Sequence, residues 1–83
     1  MAVVTGFEPS AAQTVRLQPT ELTCEFRVGR LSDGRRVLQL DTSGSAQQQE
    51  QGKKSQTLQF PEAQARELWE LLGTHFGFGT GKA

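Results

Sequence analysis

Two short corners hold the residues best able to do chemistry. In SDGRR (residues 32 to 36) and in GKKS (residues 52 to 55), a glycine precedes a basic pair. Guanidinium and ammonium groups beside exposed backbone N–H groups are a common means of holding phosphate oxygens. Arg27 and Arg30 lie just ahead of the first corner, so Arg27, Arg30, Arg35, Arg36, Lys53, Lys54 and Ser55 form the candidate anion-binding set. Either the two corners bind one anion together, or each is a solvated turn whose basic residues guard a strand edge.

Catalytic chemistry has poorer material. Cys24 falls on the apolar side of an alternating run, where a free thiol acts as a small hydrophobe. His75 lies at a helix end, and Glu62, Glu67 and Glu70 decorate a helix surface. No His, Cys and Asp cluster has ligand spacing, so no metal, no cofactor and no enzymatic activity are expected. The tail GFGTGKA has the glycines of a phosphate loop, but Ala83 stands where Ser or Thr is needed and Phe76 where the first Gly is needed.

The chain has 83 residues and formal charge +0, with 35% hydrophobic residues, as for one small domain. The balance hides a dipole. Six of the nine basic residues fall between 27 and 54, against three acids (Asp33, Asp41 and Glu50). Pro61 to Phe76, in contrast, sets Arg66 against Glu62, Glu67 and Glu70. A basic sheet and an acidic helix follow, and a basic surface attracts phosphate backbones through counterion release. No apolar run approaches the roughly 20 residues of a membrane span. MAVVTGFEPS has neither the basic start nor the apolar stretch of a signal peptide. The single cysteine makes no internal disulfide, and a cytoplasmic protein is expected.

The elements that must position these groups follow from periodicity. LTCEFRVGRL alternates, with Leu22, Cys24, Phe26 and Val28 on one side and Thr23, Glu25 and Arg27 on the other, as in a half-buried strand. Asp33-Gly34 is a hairpin signal. RRVLQLDT alternates again, with Leu38 and Leu40 opposite Val37, Gln39 and Asp41. Residues 43 to 52 read as a mobile polar loop, and KSQTLQF as a third strand with Gln56, Leu58 and Phe60 on one side. Pro61 then suits a first helical turn. Ala65, Leu68, Trp69, Leu72 and Phe76 form one helical stripe, flanked by Leu71. Glu62 and Arg66 have the spacing of an i,i+4 pair. Gly73 caps the helix, unless the glycine is tolerated and the helix runs on to Phe76. Phe26 and Phe60 are assigned to the core.

The expected fold is therefore α+β: an antiparallel sheet of three to four strands followed by one C-terminal helix packed on it. Residues 1 to 20 are expected to be a flexible arm, 21 to 76 the domain, and 77 to 83 a disordered glycine-rich tail. A fourth strand comes either from the stretch near Val15 or from the polar loop. A patterned segment this short, without a staple, predicts a homodimer with an apolar interface.

The run FRVGRLSDGRRVLQLD, a variable polar loop, and then GKKSQTLQFPEAQARELWELL resembles the positive cofactor four family of transcriptional coactivators and their small bacterial relatives. Phe26, Val28, Gly29, Gly34, Val37, Leu38 and Leu40 carry the first part of the resemblance. Gly52, Lys53, Lys54, Ser55, Thr57 and Leu58 carry the second. The resemblance spans about 50 residues of generic hairpin and strand-to-helix signals. It implies a ββββα subunit that dimerises partly through its helices and holds single-stranded DNA on curved sheets. Arg27, Arg35 and Arg36 would be its strand and hairpin cations, and Lys53, Lys54 and Ser55 its phosphate-contacting strand. This chain departs from the family in being neutral overall. The expected function is single-stranded nucleic-acid binding, as in a transcription or replication accessory factor, without enzymatic activity. The alternative is a protein-interaction module on the same dimeric fold.

Overall fold

The alternating runs form strands, and their pairing fixes two chemically different faces. The computed structural model describes residues 1–42 and 56–79. The expected mobile loop at 43 to 52 and the last four residues of the glycine-rich tail lie outside the described residues. The elements are β1 (Ala2–Val3), β2 (Cys24–Arg30), β3 (Arg36–Thr42), β4 (Gln56–Pro61) and α1 (Glu62–Phe76). The fold is α+β, a four-stranded sheet in the order β1-β4-β3-β2 with one C-terminal helix. β2, β3 and β4 are antiparallel neighbours, but β1 runs parallel to β4. The sheet is thus mixed, not purely antiparallel as the sequence led us to expect.

The fourth strand of this sheet is not the stretch near Val15. Val15 and Leu17 are exposed and outside any strand. Instead Ala2 and Val3 pair with Leu58 and Gln59, and the Val4 N–H donates to the Gln59 carbonyl at 2.9 Å. Two residues carry no readable period, so the pattern does not reveal this strand.

The β2–β3 hairpin turns through Ser32, Asp33 and Gly34. Leu31 N–H donates to the Arg35 carbonyl at 2.7 Å, and Gly34 N–H donates to the Leu31 carbonyl at 2.9 Å. Gly34 has φ of 94°, a region that most L side chains avoid. A turn followed by one positive-φ glycine is the common three-residue hairpin loop. Asp33 fixes it further. Its carboxylate accepts from the Arg35 backbone N–H at 3.0 Å and from the Arg35 Nε–H at 2.8 Å.

Period two sorts the side chains. The rows Phe26–Leu40–Leu58 and Val28–Leu38–Phe60 lie on one face. α1 packs over this face on β3 and β4, and among the described residues it does not reach β2. Phe60 sits in this layer at 5% exposure, and the Phe7 ring stacks on it with centroids 6.2 Å apart. Ala65, Leu68 and Leu72 are half-buried, while Trp69 and Phe76 of the same stripe are exposed. Phe26, assigned to the core by its alternation, is 74% exposed, and Cys24 is exposed as well. Both stand on the strand the helix leaves bare.

The N-terminal end of α1 differs from the sequence reading, and its C-terminal end follows the longer of the two alternatives, to Phe76. Pro61 is the last residue of β4 and the N-cap, with φ −56° and ψ 160°, and the helix begins at Glu62. Gly73 is tolerated inside the helix. The cap is Gly77, at φ 70°, whose N–H donates to the Gly73 carbonyl at 3.1 Å. Glu62 takes its two hydrogen bonds from Arg36, at 3.2 and 2.6 Å, rather than from Arg66. The Arg66 guanidinium lies over the Trp69 ring at 5.6 Å. No helix among the described residues is long and apolar enough to cross a membrane.

Candidate functional site

The face of the sheet turned away from α1 is built from three rows of residues. Register places Gly29, Val37 and Pro61 in the row nearest the hairpin. Arg27, Gln39 and Gln59 form the next, and Glu25, Asp41 and Thr57 the third. The first row has little side-chain bulk. It leaves a concavity of about 290 Å³, floored by Val37 and Pro61 and bounded on the β1 side by Val3. Arg27, Arg30 and Arg35 stand around it, and Gln39 and Gln59 line it from the second row.

Each arginine is held at one point, with most of its donor fork left over. Arg30 Nη1 donates to the Gly34 carbonyl at 3.0 Å, which ties it to the turn. Arg35 is tied to Asp33 through Nε. Arg27 approaches Asp41 at 3.6 Å, and its side chain is 72% exposed. A guanidinium has five N–H donors, so one tether leaves the capacity to bind an oxyanion and lowers the entropy lost in doing so.

Charge runs along this face in one direction. Arg35 and Arg30 lie at the hairpin end, Arg27 stands in the second row, and the third row carries Glu25 and Asp41. Thr57 Oγ1 donates to Asp41 at 2.6 Å, Gln39 Nε2 donates to both of its oxygens at 3.2 Å, and Arg27 adds its field. These contacts, the threonine first, hold the Asp41 carboxyl below the ordinary 3.8. Gln59 Nε2 donates to Gln39 Oε1 at 2.9 Å, so the two amides and the carboxylate form one chain of hydrogen bonds. Asp33 is likewise lowered, chiefly by the Arg35 backbone N–H and then by the Arg35 side chain. An anion approaching this face is drawn to the hairpin end and repelled from the other.

Of the sequence-derived candidates, the fold places Arg27 and Arg35 beside the concavity, while Arg30 lies at its rim, pairs in register with Arg36 and adds its field to Glu62. The fold separates Arg36, which lies on the helix side in a bidentate pair with Glu62 that raises the arginine and lowers the glutamate. Lys53, Lys54 and Ser55 lie outside the described residues. Gly29, Val37, Gln39, Gln59 and Pro61 belong to the site, although their types alone do not single them out. Their signal lies in the alternation, since they are the residues between the apolar ones. Among the described residues no group of three or more His, Cys, Asp or Glu side chains is placed to hold a metal. No protein-family model, no curated protein and no solved structure matches this chain.

Proposed function

We propose that this protein binds single-stranded nucleic acid on the open face of its sheet, without catalysis, as a cytoplasmic accessory factor in transcription or replication. The observation that carries the reading is the convergence of Arg27, Arg30 and Arg35 on one concavity with an apolar floor and two amides. Phosphates meet the arginine forks, and the concave surface receives the strand. Lys53 and Lys54 add to the proposed charge on sequence grounds.

The test is fluorescence anisotropy of a labelled single strand of about 20 nucleotides, titrated at low and moderate salt. Three phosphate contacts give a slope of about −2 in log affinity against log salt. Replacing Arg27, Arg30 and Arg35 with alanine should flatten that slope and weaken binding at low salt. Arg36→Ala should leave both unchanged, because Arg36 faces the helix side. A triple variant that binds as the parent does would remove the site.

A second reading rests on the other face. Phe26, Val28 at 63% exposure and Trp69 at 51% form an apolar margin beside the helix, suited to a second copy of the chain or a protein partner. We take this margin as the homodimer surface. If it alone carries the function, single strands will not bind at low salt, and association will persist as salt rises.

A further inference from the structure

We infer that the concavity beside Gly29 is a seat for a single nucleobase, with the glycine providing the space that the base occupies. This seat presupposes the nucleic-acid reading above and names what enters the site. Glycine is disfavoured within a strand, where it leaves nothing to pack and adds chain entropy to be lost. Three structural uses would explain it there: a bulge, a positive φ, or the close approach of other backbone. None applies among the described residues. β2 and β3 pair without a break from Cys24↔Thr42 to Arg30↔Arg36, so there is no bulge. The positive-φ glycines among the described residues are Gly34 and Gly77. A Cβ added at Gly29 meets nothing within 4 Å. The room is taken by no described neighbour in the chain, and it opens into the concavity.

The dimensions fit one ring. Three strands span about 10 Å, and two residues along a strand span about 7 Å. The Gly29–Val37–Pro61 row therefore offers a flat apolar floor the size of a base. Its volume, about 290 Å³, lies at the small end for ligand sites, enough for one nucleotide but not for several. Gln39 and Gln59 border the row; Asp41 and Gln59 engage the Gln39 amide, and Gln59 Oε1 is the acceptor left among the described residues for the edge of a seated ring. Arg27, Arg30 and Arg35 are placed for the flanking phosphates. Among the described residues no aromatic ring lines the concavity, so its contribution is apolar contact and edge hydrogen bonding.

The test compares two strands on the whole chain: an oligothymidine of about 20 residues and an abasic backbone of the same length. The parent protein should bind the base-bearing strand at least roughly fivefold more tightly. Gly29→Leu fills the concavity but keeps every arginine. It should erase that preference, so that the base-bearing and abasic strands bind alike. Gly29→Thr, whose branched side chain suits a strand, repeats the test with a second shape. Circular dichroism and melting confirm that each variant is folded. Equal binding of the two strands by the parent, or an undiminished preference in both folded variants, overturns the seat and leaves the electrostatic reading standing. Failure of the parent to bind either strand overturns both.

Discussion

The two faces of this sheet are made by the same three strands and differ at every alternate residue. On one, Leu38, Leu40 and Phe60 lie on the side that meets a helix; on the other, Gln39, Gln59 and Asp41 hydrogen-bond to one another and remain open. The covered face holds the fold together by removing apolar area from water. The open face carries polar groups, and its chain of hydrogen bonds gives them defined positions. The contrast is sharpest at Arg36 and Arg35. These neighbours diverge: one is bound to the helix through Glu62, and the other stands beside the concavity with Asp33. One step along the chain, rather than residue type, separates the arginine bound to the helix from the one beside the concavity.

The largest effect should come from breaking the covered face. Phe60 is the one buried hydrophobic residue among the described residues, so Phe60→Ala should cost about 3–5 kcal/mol in urea denaturation. Gln59→Ala, one residue along and on the open face, should cost only about 1 kcal/mol, the worth of a hydrogen bond. Equal losses at the two positions would mean that the faces do not divide stability as described.

An intermediate effect should appear at the uncovered margin. Val28 lines a small hollow that Glu62 and Ala65 border from the helix, and Trp69 and Phe76 continue that side of the helix. Phe26→Lys places charge there and should weaken self-association by roughly tenfold or more, as read by sedimentation equilibrium. A monomeric parent would show instead that this margin meets no second copy at the concentrations used.

The smallest effect concerns the open face in acid. Asp41 has a folded pKa below its unfolded one, so its contribution is complete above the unfolded value. It is lost as pH falls through the folded value. Asp41→Asn should therefore melt below the parent near neutral pH, with the gap closing as pH drops below about 4. A gap of constant size from about pH 7 down to about pH 2 would assign the loss to geometry instead of charge.

Much of this is legible residue by residue. The two-residue period of Cys24–Val28 and of Val37–Asp41 identifies strands and sorts their faces, and Asp33-Gly34 identifies the turn. Leu68 and Leu72 locate the helix side. The candidate site is half legible. Its arginines are visible as a cluster, but its floor is not, because Val37 and Pro61 gain meaning only beside Gly29. Register does that, and a shift of one residue would turn every one of them to the other face.

The sequence by itself determined the local periods, the turn and the separation of apolar from polar residues, because each depends on neighbours a few positions away. Tertiary structure alone decided that Ala2–Val3 closes the β4 edge in parallel. It also decided that α1 covers β3 and β4 but not β2, and that Arg36 leaves the other arginines for Glu62. These outcomes depend on contacts between residues far apart in the chain, such as Arg36 with Glu62 and Ala2 with Leu58. No local pattern encodes such contacts, since a period names a face without naming what the face will meet.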